Sequence, residues 1–255
     1  MTSLKLRPLL LWALQAIWLA GCLFCLPAVA TPAQPELYVK TYGNPAKPAL
    51  LYIHGGPRGN STLFEGTTAQ TLADRGFYVI VYDRRGEGRS ADSAASFTFD
   101  EAFTDLNALL SSLKLSKVNL LGHSFGGIVA SLYSEKHPEK IQRLFLIGAL
   151  VNQQQSYDHI LQTAIASGRE QTNPAMLQQV QAIQTLDKSS AQYRGLTYQL
   201  AAELGYFRMP NPTAEYRQLT AQYQNSTAGK NNIRNDQAPV KFYQNIKFQL
   251  VMFFI

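Results

Sequence analysis

From Glu36 to Ile147 short apolar runs alternate with longer stretches whose apolar residues recur at helical spacing. "ELYVKTY" (36–42) predicts an edge strand, "ALLYIH" (49–54) a buried strand, "STLFEGTTAQTLADRG" (61–76) a helix closed by Gly76, and "FYVIVYD" (77–83) a second buried strand. A loop rich in Gly, Arg and Ser follows. Beyond it the pattern predicts a helix from about Phe99 to Leu113, the strand "KVNLLG" (117–122), a helix from about Phe125 to Lys136, and the strand "IQRLFLIG" (141–148). Continuous apolar strands separated by helices indicate a mostly parallel sheet with helices on both faces, because only a strand buried on both sides has no polar alternation. The fold class is therefore α/β.

Around Val151 the pattern changes. Residues 152–240 are rich in Gln, Asn and Tyr, lack a long strand pattern, and show helical stretches interrupted at "TNPAM" and "MPNPTAEY". Leu, Ile and Tyr recur there at amphipathic spacing, so this stretch is expected to be a mostly helical insertion, with disorder an alternative for "NSTAGKNNIRND" (225–236). The β pattern returns at residues 241–255, where "IKFQLVMFFI" starts like another buried strand.

The first thirty residues have a different character. Lys5 and Arg7 precede an apolar run from Pro8 to Leu26, and "AVA" (28–30) has the small-x-small form of a signal-peptidase site. The expectation is a signal peptide over 1–30, cleavage near Ala30, and export to the periplasm or outside the cell, with the α/β core over 31–151. An uncleaved membrane anchor is the alternative, since the run approaches bilayer-spanning length. "LAGC" (19–22) also has the form of a lipobox that would lipidate Cys22, although the apolar "LFCL" after it is unlike the usual polar tether.

Both cysteines, Cys22 and Cys25, lie in that segment, so the chain after Ala30 has no thiol. This excludes disulfides, cysteine nucleophiles and thiolate metal sites there. The net charge of +6 falls to +4 without Lys5 and Arg7, too mild and too scattered for a nucleic-acid surface. The histidines, His54, His123, His137 and His159, show no metal-ligand spacing, and the glycine-rich loops lack dinucleotide or phosphate patterns, so no cofactor or metal is expected.

"GHSFG" (122–126) puts Ser124 between a predicted strand and a predicted helix, the setting a nucleophile elbow requires. The flanking glycines suit a turn too tight for a Cβ, and the serine hydroxyl is lifted to a helix N-terminus whose N–H groups can meet a developing negative charge. "HGGP" (54–57) makes a second turn whose amides can approach a ligand. In acyl transfer this loop would supply one oxyanion donor, the N–H of Gly56, and the residue after the nucleophile the other, the N–H of Phe125. His54 is expected to brace the loop. Asp83, in "DRRGEGRS" (83–90), is expected to serve ion pairs with Arg84, Arg85 and Arg89, and His137 to sit at a helix end before Pro138.

Together "HGGP", "DRRGEGRS", "GHSFGG" and "HPEKIQRLFLIG" resemble the α/β-hydrolase superfamily in order and spacing, over about Glu36 to Val151. The pairing of "HGGP" with "DRRGEGRS" is most like the proline-iminopeptidase branch. Two positions depart from it: Arg58 stands where that branch usually has glycine, and "GHSFGG" is a form common among esterases. The resemblance implies a helical cap at the insertion and an acid and a histidine after the last strands. A serine hydroxyl needs such a base, and the base an orienting group. Only His137 and His159 follow Ser124, neither in the implied place, and Asp236 precedes the last predicted strand.

The sequence is thus read as an exported serine hydrolase acting on a small-molecule or short-peptide acyl substrate, with the acid, the histidine and the last core strands missing through truncation. The alternative is an inactive or merely ligand-binding remnant. His159 as a substitute base is a third possibility. Iminopeptidases recognise a substrate amino group with cap carboxylates, for which Glu170, Glu203 and Glu215 are available. Nucleic acid is not an expected partner, and a membrane is one only if the N-terminal segment is retained or Cys22 lipidated.

Overall fold

The computed structural model describes residues 36–149, 151–208 and 211–225. The expectations for a signal peptide, for "NSTAGKNNIRND" beyond its first residue and for the returning strand at 241–255 lie outside the described residues.

Five strands, β1 (Val39–Tyr42), β2 (Ala49–Ile53), β3 (Tyr78–Tyr82), β4 (Val118–His123) and β5 (Ile141–Ile147), form one sheet in the order β1-β3-β2-β4-β5. β1 runs antiparallel to β3, and the pairs β2–β3, β2–β4 and β4–β5 are parallel. The edge strand is shorter than the sequence pattern suggests, since pairing with β3 begins only at Val39.

Every residue of β2 and β3 is buried, which explains their unbroken apolar sequence. Leu51, Ile53, Ile80 and Leu120 point to one face, against α3 (Phe99–Ser112) and α4 (Phe125–Lys136) through Phe103, Leu106, Val129 and Tyr133. Leu50, Tyr52, Val79 and Val81 point to the other, against Phe64, Ala69 and Leu72. Each fully buried aliphatic side chain contributes about 1.5–3 kcal/mol. α3 starts where Thr98 accepts a hydrogen bond from the Glu101 N–H at 3.2 Å, a side-chain cap for an otherwise unpaired donor.

Two features differ from the simple pattern. The helix expected over 61–76 is α1 (Thr62–Phe64), a π-helical turn (Glu65–Ala69) and α2 (Gln70–Asp74). At that turn the Glu65 carboxylate is held by Tyr38, Tyr42, Ser61 and Arg89, and the Thr67 hydroxyl bonds back to the Leu63 carbonyl at 2.7 Å. Such side-chain pulls favour local distortion of the helical ladder. The second feature is β5, whose Phe145, Leu146 and Ile147 are exposed despite their apolar character. Among the described residues β5 pairs only with β4, so the sheet is not covered equally along its width.

Residues 153–225 contribute α5 (Gln153–Ser167), α6 (Arg169–Thr172), α7 (Pro174–Thr185), α8 (Ala191–Leu204) and α9 (Ala214–Asn225). α5, α7 and α8 bury Tyr157, Ile160, Ala164, Met176, Val180, Ile183, Tyr193 and Leu200 in a cluster of their own. Asn173, followed by Pro174, caps α7, and Ser190 caps α8. α9 reaches back to the π turn, where Leu219 packs over Gly66. No helix among the described residues is long and apolar enough to cross a membrane.

Candidate active site

Parallel pairing of β2 with β4 sets Ile53 opposite Gly122, so the chain leaves both strands side by side at their carboxyl ends. In open α/β sheets ligands bind at that edge. His54 to Pro57 follow β2; Ser124 follows β4 and opens α4.

Glycine is required where these segments touch. A Cβ on Gly126 would stand 2.1 Å from the Ile53 carbonyl oxygen and 2.5 Å from that of His54, and one on Gly122 would stand 2.7 Å from Gly127 Cα. The first turn of α4 therefore rests on the end of β2. A Cβ on Gly55 would lie 3.2 Å from both Ser124 Cβ and His123 Nδ1, which brings the loop after β2 against the serine.

Ser124 has φ 52° and ψ −122°, a conformation costing a non-glycine residue about 1–3 kcal/mol. The surroundings hold it there: its N–H donates to the Ile147 carbonyl at 3.0 Å, and its own carbonyl accepts from the Gly127 N–H at 2.9 Å. The residue is half-buried, and among the described residues no side chain hydrogen-bonds to its Oγ. Phe125 is fully buried at the head of α4, and Gly56, with φ 144°, is exposed.

His54 is completely buried, with both ring nitrogens engaged. Nδ1 lies 2.7 Å from the Gly55 carbonyl oxygen, and Nε2 accepts the Arg84 N–H at 3.0 Å. These partners assign the proton to Nδ1. Burial, then the Arg84 charge, lowers its pKa to about 4, so the ring is neutral at physiological pH.

The ion pairs of "DRRGEGRS" differ from those the sequence suggests. Among the three arginines of this loop Asp83 pairs with Arg89: its carboxylate accepts from Arg89 N, Nε and Nη2 at 2.9, 2.7 and 2.9 Å, and from Ser61 N and Oγ at 2.8 Å each. Burial by itself would raise the Asp83 pKa; the Arg89 bonds and charge outweigh it and hold the carboxyl below its ordinary value. Arg85 turns to Asp105 and Asp92. Arg84, 2% exposed, turns inward to Glu87, with Nε 2.6 Å from Oε2. Successive side chains leave this turn in different directions, and neighbours in sequence do not share partners. An arginine and a glutamate three positions apart were the available sign of the Arg84–Glu87 pair.

The remaining candidates lie elsewhere. His137 caps α4, its N–H donating to the Tyr133 carbonyl at 2.9 Å and its ring 4.8 Å from the Tyr133 ring. His159 is exposed on α5, and His123 is exposed at the end of β4. Glu203 and Glu215 are exposed, whereas Glu170 is buried, with one carboxylate oxygen, Oε2, unpartnered.

Residues 48–229 match the sequence profile of the alpha/beta hydrolase fold. A putative proline iminopeptidase of Mycoplasma pneumoniae is 34% identical over 131 residues, which are 49% of this chain and 40% of that protein. A proline iminopeptidase of Lactobacillus helveticus is 37% identical over 120 residues, 45% of this chain and 40% of that protein. The chain thus spans about 40% of the length of these relatives. Among solved structures, a bromoperoxidase from Bacillus anthracis aligns with a TM-score of 0.41 at 31% identity, covering 46% of this chain and 41% of that one.

Proposed function

The chain belongs to the α/β-hydrolase fold family, and from that premise we propose that it carries the nucleophile and oxyanion hole of a serine hydrolase acting on a peptide or ester acyl bond. Ser124 Oγ attacks the acyl carbonyl. The N–H groups of Gly56 and Phe125 receive the oxyanion of the tetrahedral intermediate, which expels the leaving group and leaves an acyl-serine for water to hydrolyse. The observation that carries this reading is the strained backbone of Ser124, held at the mouth of parallel strands with the Gly55–Gly56 loop against it. The similarity to proteins named proline iminopeptidase supports a peptide rather than a simple ester as the substrate class.

A base must take the Oγ proton, and a base must lie within hydrogen-bond reach. None of the four histidines hydrogen-bonds to Ser124: His54 is occupied in its loop, His137 ends α4, and His123 and His159 are exposed. We therefore propose that none of these four histidines is the base of Ser124. The same observation favours a second reading, in which the chain keeps the site for ligand binding and does not turn substrate over. We further propose export, with residues 1–30 removed, which N-terminal sequencing of the exported protein tests.

Covalent labelling by an alkyl fluorophosphonate, with Ser124→Ala as control, tests the nucleophile. An adduct on Ser124 supports the hydrolase. Folded protein without one supports the binding reading.

A further inference from the structure

This inference rests on the role proposed for Ser124 and concerns what aims the oxyanion hole. The loop supplying the Gly56 N–H is short and glycine-rich, so its peptide planes need an external restraint. That restraint lies in the buried layer beneath it. Arg84 Nη1 donates to the His54 carbonyl, and Nη2 donates to the Gly55 carbonyl at 2.9 Å. The Gly55 carbonyl also receives His54 Nδ1–H at 2.7 Å. Glu87 holds the guanidinium from the far side, with Oε2 2.6 Å from Nε, while its Oε1 accepts the N–H of Arg58 and, at 3.2 Å, that of Gly59. One buried ion pair therefore grips the loop on both sides of Pro57.

The geometry of the peptide unit turns this grip into a direction. The Gly55–Gly56 bond is trans, so its N–H points opposite to its C=O. With the carbonyl drawn onto the guanidinium and the His54 ring, the Gly56 N–H faces away from the buried layer. A Cβ on Gly56 would stand 2.8 Å from Arg84 Nη2, which shows how closely the cation lies under the loop. The same guanidinium packs against the second donor residue, its Cζ 5.3 Å from the Phe125 ring centroid.

We propose that Arg84 is a positioning residue for the oxyanion hole: its guanidinium, anchored by Glu87, fixes the Gly55–Gly56 peptide so that the Gly56 N–H points at the oxygen of the group attacked by Ser124. The work requires a fork, because two carbonyls on successive residues are held by two nitrogens of one rigid plane. A lysine keeps the charge and loses the fork.

The test is the rate of Ser124 phosphonylation in the full chain. In that reaction an Oγ–P bond forms, the P–F bond breaks, fluoride leaves, the Oγ proton passes to solvent, and the phosphoryl oxygen occupies the oxyanion hole. In Arg84→Lys, at a temperature where circular dichroism shows both proteins folded, the maximal rate falls at least about tenfold while the half-saturating reagent concentration stays within about twofold. Folded Arg84→Lys reacting as fast as the parent overturns the proposal, as does a change confined to half-saturation. Should Arg84→Lys fail to fold, Glu87→Gln loosens the same clamp and slows labelling at least about threefold; an unchanged rate there overturns the proposal equally. A parent protein that never labels overturns the reading of Ser124, and the clamp falls with it. A parent that labels at the same rate as its Arg84 variant overturns the clamp alone.

Discussion

Gly126 sits directly beneath Ile53: a Cβ on the glycine would stand 2.1 Å from the Ile53 carbonyl oxygen. This contact lets the first turn of α4 reach the end of β2, and it brings the serine of one turn beside the glycines of the other. Gly126→Ala must push the helix away from the sheet, because the obstructing atom is backbone and cannot rotate aside. The expected cost is about 3 kcal/mol, read as a lower denaturant midpoint. A change under about 1 kcal/mol would mean that the two turns are not in tight contact.

Ser124 shows the opposite sign. Its φ of 52° strains any side chain, so Ser124→Gly removes strain as well as the hydroxyl. The variant should be more stable than its parent by about 1 kcal/mol while failing to react with fluorophosphonate. A less stable glycine variant would show that the serine conformation is relaxed.

The buried histidine predicts an acid-sensitive fold. His54 has its pKa lowered to about 4 in the folded chain, first by burial and then by Arg84, against about 6.5 when unfolded. Between those values the unfolded chain binds the proton and the folded one does not. Stability is therefore complete above pH 6.5 and falls as pH drops towards 4, by about 3 kcal/mol in all. Asp83, held below its ordinary range, extends the loss to lower pH. Equilibrium unfolding of the parent and of His54→Gln across that range checks the histidine, whose variant should show a flatter slope.

Two ion pairs should behave differently when broken. Asp83→Asn disrupts a buried carboxylate that accepts five hydrogen bonds from Ser61 and Arg89, and is expected to cost about 2–4 kcal/mol. Asp100→Asn breaks the exposed pair with Lys136 and should leave the unfolding midpoint in place. Equal effects would contradict the distinction.

The legible and illegible parts of this molecule divide along one physical line. Strands β2, β3 and β4 were readable because burial on both faces demands unbroken apolar runs, and Ser124 because a tight strand-to-helix turn demands glycines around it. The partners of Arg84, Arg85 and Arg89 were not, since three arginines within one short loop carry no sign of the direction each takes when it leaves the turn. The π turn at Glu65–Ala69 was hidden for a related reason: the groups that pull on Glu65 come from Tyr38, Tyr42 and Arg89, far away in sequence. The exposure of β5 depends on what lies beside it, which its own residues do not encode.

The central claim is that Ser124 is a nucleophile in a prepared oxyanion hole and that none of His54, His123, His137 and His159 is placed to take its proton. Its most direct test is the rate of Ser124 phosphonylation as a function of pH. Oxyanion-hole donors stabilise the charge that develops on the phosphoryl oxygen, so Ser124 should be labelled in preference to every other serine. Without a base the rate should rise about tenfold per pH unit through the alkaline range, following hydroxide and showing no plateau. A folded protein that carries no adduct at Ser124, or a rate that levels off with a midpoint near pH 7 as a working histidine would impose, would contradict it.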